Sequence, residues 1–391
     1  MPQRTRAVLL TVFGLLAAVL PAGRAAAAPT RATPCVTTLW KAGTGGYRTY
    51  RIPAVVTVRG TLVAFAEGRV HSSADNGDID VVERRSADGG CTWTPQQVVA
   101  EDGTDTVGNP TPVVAADGTL VLLTNRQAGQ TTQGQIQSDQ VPAADSRRAF
   151  VQTSADAGAT WSARREITAS VKRPGWLWFA TGPGHGLTLT RGRAAGRLVV
   201  AANHSEADGR SGVDLLLSDD DGRTWRLGAS ENDTDATLRP NETSAAQLPD
   251  GEIYLSARNN GGGTGMNRAS AYSATAGRTY TTPLRPLPGL VGPSVQGGVL
   301  QDPGLPAGLP CAPLLYSGPA DPDSRRHLTL RRSDDYGRTW HTLTDLTAPI
   351  TPAAYSDLTG IARGELGTVF ETGADSPYEE IAWRRVSLRC P

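Results

Sequence analysis

The chain has 391 residues, with 38 lysines and arginines balanced by 38 aspartates and glutamates and no basic tail or stripe. That balance argues against a nucleic-acid-binding protein. Four cysteines (Cys35, Cys91, Cys311, Cys390) and five scattered histidines (His71, His185, His204, His327, His341) show no metal-ligand spacing, so neither a metal nor another cofactor is expected.

At the N-terminus, Arg4 and Arg6 precede an apolar run over 7–20, followed by Pro21, Gly23 and an alanine-rich stretch ending at Ala28. Positive n-region, short apolar h-region and small-residue cleavage zone, in that order, predict a signal peptide over 1–28 and a secreted, extracellular protein. The run is too short to span a bilayer, and no later stretch approaches the length a spanning helix needs. In an exported chain, four cysteines point to disulfides.

Residues 29–391 read as a single domain because one motif recurs through them at intervals of roughly 60 residues. Ser86-Ala-Asp88-Gly-Gly90-Cys-Thr92-Trp93 returns as Ser154-Ala-Asp156-Ala-Gly158-Ala-Thr160-Trp161 and as Ser218-Asp-Asp220-Asp-Gly222-Arg-Thr224-Trp225. It returns again as Ser333-Asp-Asp335-Tyr-Gly337-Arg-Thr339-Trp340, and in degenerate form, without the aspartate, as Ser273-Ala-Thr275-Ala-Gly277-Arg-Thr279-Tyr280. The motif resembles the Asp box, a turn joining the outer two strands of a propeller blade. Its aspartate can accept backbone N–H bonds from its own turn, its glycine permits positive φ, and its tryptophan can wedge between blades. Nothing in it acts on a substrate.

β-branched strand pairs around short turns form a second repeat, at 54–66, 112–124, 186–202, 244–256, 294–317 and 356–371. Six hairpins for five boxes predict an all-β, six-bladed β-propeller in which each hairpin is the inner pair of a four-stranded blade. The sixth blade takes its outermost strand from the N-terminal segment 35–41, which closes the ring. A Cys35–Cys390 bridge would staple that closure, with Cys35–Cys91 plus Cys311–Cys390 as the open alternative.

In this topology both ends of every inner hairpin lie on one face, and the boxes lie on the other. The polar residues at hairpin ends therefore converge. Arg51 precedes the first hairpin, Glu67 and Arg69 follow it, and Asp75 lies in the next loop; Glu242 precedes the fourth and Arg258 follows it. Arg325 follows the fifth, while Tyr355 opens the sixth and Glu371 closes it. Each alone reads as an ordinary core or surface residue; their joint placement does not. Trp176, Trp178 and Thr181-Gly-Pro-Gly-His-Gly186 precede the third hairpin on the same face, as either a pocket wall or a plug between blades.

The segments Y-R-I-P, F-A-E-G-R, P-N-E-T-S, S-A-R, S-G-P…R-R-x-L and A-Y-S-D-L resemble, in order, the catalytic motifs of the bacterial and animal exo-sialidase family. The resemblance implies that Arg51, Arg258 and Arg325 are an arginine triad, Asp75 the acid/base, Tyr355 the nucleophile and Glu242 its partner. Arg326 adjoins Arg325, but Arg325 keeps the family's spacing to Leu328; Asp78 and Asp80 stand close to Asp75. Arg69 is expected on the sugar's oxygens and Glu371 behind Arg51. Sialic acid carries its carboxylate on the anomeric carbon, which guanidiniums grip by charge-assisted, partly bidentate bonds. A neutral phenol, deprotonated as it attacks, avoids the repulsion that a carboxylate nucleophile would meet at that centre. An acid at Asp75 calls for a raised pKa. The reading is a monomeric, retaining exo-α-sialidase acting on sialylated glycoproteins, glycolipids or oligosaccharides. A binding propeller without activity would lack the nucleophile or the acid, and a transferase would carry added aromatic platforms.

Overall fold

The structure, a computed structural model, describes residues 1–3, 35–232, 238–263, 265–301 and 314–388. The expected leader, apart from Met1–Gln3, lies outside the described residues, as do Cys311 and Cys390. No helix among the described residues is long and apolar enough to cross a membrane.

The chain has regular elements that are almost all strands. It runs through β1 (Val36–Lys41), β2 (Thr49–Val58), β3 (Thr61–Arg69), β4 (Ile79–Ser86), β5 (Gln97–Ala100), β6 (Thr106–Val114), β7 (Leu120–Gln127), β8 (Arg148–Ser154) and β9 (Arg165–Glu166). There follow β10 (Trp176–Thr181), β11 (Leu187–Thr188), β12 (Leu198–Glu206), β13 (Ser211–Ser218), β14 (Arg226–Asn232), β15 (Pro240–Gln247), β16 (Ile253–Asn259), β17 (Arg268–Ser273) and β18 (Thr282–Pro286). The last are β19 (Gly298–Gln301), β20 (Leu314–Pro319), β21 (Leu328–Ser333), β22 (His341–Asp345), β23 (Ala353–Ala362), β24 (Glu365–Thr372) and β25 (Glu380–Ser387).

Their hydrogen bonding gives a propeller arrangement but corrects the expectation of six blades. Four blade-like sheets stand alone: β15–β18, β19–β22, β10-β12-β13-β14 with β11 as an added strand, and β1-β25-β24-β23. The strands β2 to β9 instead form one eight-stranded sheet, because Ile79 at the start of β4 bridges Thr106 of β6 in parallel. The Thr106 hydroxyl reinforces that junction, accepting from Gly77 N–H and donating to the Gly77 carbonyl. The propeller thus has four discrete blades and one continuous sheet. The closing sheet does draw its edge from the N-terminus: β1 pairs antiparallel with β25, Val36 opposite Arg384.

The third hairpin also differs from expectation. Its innermost position is shared by β10 and β11, both paired with β12. The segment between them contains Pro183, which has no N–H for a ladder, and Gly182 and Gly184 at positive φ, so the strand breaks there.

Apolar clusters lie between consecutive sheets rather than at one centre. Leu39, Trp40, Tyr50, Val55, Val82, Ile381 and Trp383 join β1 and β25 to the β2–β5 region. Burial on both faces explains why the strands read as near-continuous apolar runs. Each box follows the third strand of its group and closes as its chemistry requires: Asp88 Oδ1 accepts from Thr92 N–H at 2.9 Å, and Oδ2 accepts from the Thr92 hydroxyl at 2.7 Å. In the degenerate box the Thr275 hydroxyl takes over, accepting from Thr279 N–H at 2.8 Å. Gly90 (φ 91°) docks so closely on Trp383 that a Cβ would stand 1.9 Å from its Nε1. That docking brings the first box beside β1, and Cys35 bridges Cys91 in the box, with a Cα–Cα distance of 5.0 Å. The Cys35–Cys390 staple is therefore not formed.

One buried group makes stability depend on pH. Glu83 on β4 is fully buried, and its nearest cation, Arg85 Nε, lies 3.5 Å away. Burial, against the pull of Arg85, pushes its carboxyl up to about 8. The unfolded chain ionises this group near its ordinary value, so stability falls as pH rises from about 4.5 to about 8. Glu83→Gln is expected to unfold at higher temperature than the parent at pH 8, by roughly 1–3 kcal/mol, with the two melting curves converging near pH 4.

Candidate active site

A cavity of about 490 Å³ opens at the strand ends and is lined by Arg51, Glu67, Arg69, Asp75, Glu242, Arg258, Arg325 and Tyr355. These residues come from β2, β3, β15, β16 and β23 and from the loops after β3 and β20. Backbone irregularities aim several of them. Ladder register shifts between Arg51 and Ala54, between Pro240 and Thr243, and between Ala353 and Ser356. Ile52 has φ 57°, which turns the strand beside Arg51.

Tyr355 lies at the base. Its hydroxyl donates to Glu242 Oε1 at 2.5 Å and accepts from Arg258 Nη1 at 3.1 Å, while that same nitrogen donates to Glu242 Oε2 at 2.8 Å. Burial, with the Glu242 carboxylate adding to it, holds the phenol above its ordinary pKa, although Arg258, Arg51 and Arg325 pull it down. The guanidiniums of Arg51 and Arg325 lie 5.3 and 5.6 Å from its ring centre.

Glu371 is wholly buried behind the cavity rather than lining it. Its Oε1 accepts from Arg51 Nε at 2.7 Å and from Ile52 N–H at 2.9 Å; its Oε2 accepts from Tyr355 N–H at 3.2 Å. Burial opposes the Arg51 charge, but Glu371 outweighs it and holds the guanidinium firmly protonated. Of the adjacent arginines, Arg325 reaches the cavity, whereas Arg326 pairs with Asp321 and is 46% exposed.

Asp75 stands at the mouth with its side chain 75% exposed, 2.8 Å from Arg69. Its two neighbours do not reach the lining, and Asp80 is buried against the Tyr47 hydroxyl at 2.7 Å. Desolvation pushes the Asp75 carboxyl up, but Arg69 and then Arg51 outweigh it, so its pKa is lowered. The expected upward shift is absent here because the loop stands open and a paired guanidinium faces it. Arg69 is buried, and its nitrogens are engaged by Glu67, by the Ser73 and Ala74 carbonyls and by Asp75, so it anchors this loop.

Trp178 lines the wall, with Arg147 lying 4.4 Å over its ring. Trp176 instead stacks on His204 at 3.7 Å in the core. Sequence reasoning missed Arg147, which precedes β8, and Tyr378. Tyr378 belongs to the loop after β24, which Glu379 shapes by accepting the N–H groups of Ala374, Asp375 and Ser376. Its hydroxyl accepts from Arg325 Nη1 at 2.7 Å, and Arg51 stacks 4.0 Å over its ring. One tyrosine thus braces two guanidiniums. Tyr378→Phe keeps the stack and removes the Arg325 acceptor; KM for an anionic glycoside is expected to rise about 3- to 10-fold with kcat within about twofold, as steady-state kinetics will read.

Three guanidiniums gathered over a phenol–carboxylate pair in a propeller form a site suited to an anionic ligand. Residues 60–367 match the family described as BNR repeat-like domain. The chain is 32% identical to the sialidase of Micromonospora viridifaciens over 87% of its own length and 53% of that protein's. It is 31% identical to the exo-alpha-sialidase of Aspergillus fumigatus, covering 89% of this chain and 86% of the fungal one. A solved Hadza microbial sialidase superimposes with a TM-score of 0.74 at 27% identity, covering 89% of this chain and 67% of the other. The chain belongs to the sialidase family.

Proposed function

We propose that the protein is a secreted exo-α-sialidase that hydrolyses terminal α-linked sialic acids from glycoconjugates with retention. The observation that carries this is the Tyr355–Glu242 contact at 2.5 Å beneath Arg51, Arg258 and Arg325. The three guanidiniums take the substrate carboxylate, which fixes the anomeric carbon above the phenol. Glu242 accepts the phenolic proton as Tyr355 Oη bonds to the anomeric carbon and the bond to the leaving oxygen breaks. Asp75 protonates that oxygen and then takes a proton from the water that attacks the same carbon. Tyr355 leaves and recovers its proton from Glu242. Substrate also readies Asp75: its carboxylate offsets the arginine charges that lower the pKa, and its ring desolvates the loop, so the acid form gains.

The experiment is hydrolysis of an aryl α-sialoside by the folded chain, with proton NMR of the first anomer released. Appearance of the α-anomer first is the expected result. The β-anomer first overturns the tyrosyl intermediate, and a folded chain that binds sialic acid without cleaving the glycoside overturns the enzymatic reading. Export is tested by whether culture medium contains a chain lacking the leader.

A further inference from the structure

Tyr355 and Glu242 belong to β23 and β15, strands of two sheets that share no ladder. Their contact therefore depends on what fixes one sheet against the other. Residues 182–186, which connect β10 to β11 in a third sheet, do so. The Gly182 carbonyl accepts from the N–H of Thr243, the residue after Glu242, at 3.1 Å. The Pro183 carbonyl accepts from Gln296 Nε2 at 3.4 Å, and Gln296 Oε1 accepts from the N–H of Ser356, the residue after Tyr355, at 3.2 Å. His185 makes the strongest tie. Its N–H donates to Asp357 Oδ2 at 3.0 Å, and its Nδ1 lies 2.7 Å from Oδ1.

Asp357 is wholly buried on β23, two residues beyond Tyr355. Its Oδ2 also accepts from Val55 N–H at 3.0 Å, on the strand that carries Arg51. The bulges in β2 and β23 take Ile52 and Tyr355 out of ladder register. Buried N–H groups require acceptors. Glu371 serves Ile52 and Tyr355; Asp357 serves Val55 and His185. Asp357 in turn acts on His185: burial disfavours the imidazolium, and Asp357 outweighs it, so the imidazole pKa is raised. The loop has little room to shift, since Gly184 sits at φ 95° and a Cβ there would stand 3.2 Å from Gln296 Nε2.

We infer that His185, through its pair with Asp357, is a positioning residue that holds Tyr355 against Glu242 from beneath the cavity. The inference rests on the reading of those two groups as nucleophile and partner. Neither His185 nor Asp357 lines the cavity, so substrate capture stays with the arginines and the effect falls on chemistry.

The test is steady-state kinetics of His185→Ala and His185→Asn on the aryl sialoside, with sialic acid binding by calorimetry and folded fraction from thermal unfolding. His185→Ala is expected to lower kcat per folded molecule about 10- to 100-fold, with KM and sialic acid affinity within about threefold. His185→Asn, whose amide can still donate to Asp357, recovers most of the rate. Folded His185→Ala with kcat within about twofold of the parent overturns the inference; so does a loss confined to KM, or an Asn variant no better than Ala. Should His185→Ala not fold, Gln296→Leu cuts the adjacent tie and decides the matter: a kcat-selective loss supports the inference and an unchanged kcat overturns it. A parent chain inert on the same substrate brings down the catalytic reading itself, so the control tells the two failures apart.

Discussion

Tyr355→Phe is expected to lower kcat on an aryl sialoside by at least about a thousandfold while leaving the fold intact. The substitution removes one oxygen. The ring keeps its place beside Arg51 and Arg325, and Glu242 keeps its bond from Arg258. What disappears is the atom that would bond to the anomeric carbon, together with the proton it donates to Glu242. Sialic acid affinity should change little, since the guanidiniums remain. Thermal unfolding within about 2 °C of the parent, beside a collapsed rate, would separate chemistry from stability. A variant within tenfold of the parent would exclude the phenol as nucleophile.

Glu371→Ala is expected to cost about 3–5 kcal/mol of stability. Three groups lose their acceptor together: the Arg51 guanidinium and the backbone N–H groups of Ile52 and Tyr355. Arg51 is left buried and uncompensated. Denaturant unfolding should show a lower midpoint at an unchanged slope, and any folded fraction should bind sialic acid weakly. Glu371→Gln keeps an acceptor for one or two of these groups but not the charge, and should fall between.

The parts of this molecule that were legible in the sequence are those with chemistry at fixed offsets. The Asp box needs an acceptor four residues before a threonine N–H and a glycine beside the neighbouring sheet, and Asp88, Thr92 and Gly90 are spaced for that. The positions of Arg51, Glu242, Arg258 and Tyr355 followed from hairpin ends, because strand pairing puts those ends on one face. Other features have no such signature. A single bridge from Ile79 to Thr106 is enough to fuse two groups of strands, and one residue pair leaves no periodic trace. The partner of Cys35 was set by the docking of Gly90 on Trp383, a contact between residues far apart in the chain. Tyr378 and Arg147 sit in irregular segments, where neither period 2 nor a turn motif marks a direction. The lowered pKa of Asp75 depends on how Arg69 is held by its own loop, which composition cannot convey.

The pairing of β1 with β25 has a kinetic consequence. Val36 faces Arg384 across a loop of roughly 350 residues, among the most non-local contacts the chain can make. β25 is made only after β2 to β24, and until then β1 is a lone strand without its partner. Closure of the ring is thus a late event in folding, and the interval before it is when unpaired strand edges are open to other chains. The Cys35–Cys91 bridge ties β1 to the neighbouring box across only 56 residues of sequence. Formed early, it would keep that strand beside the place it must finally occupy and shorten the search.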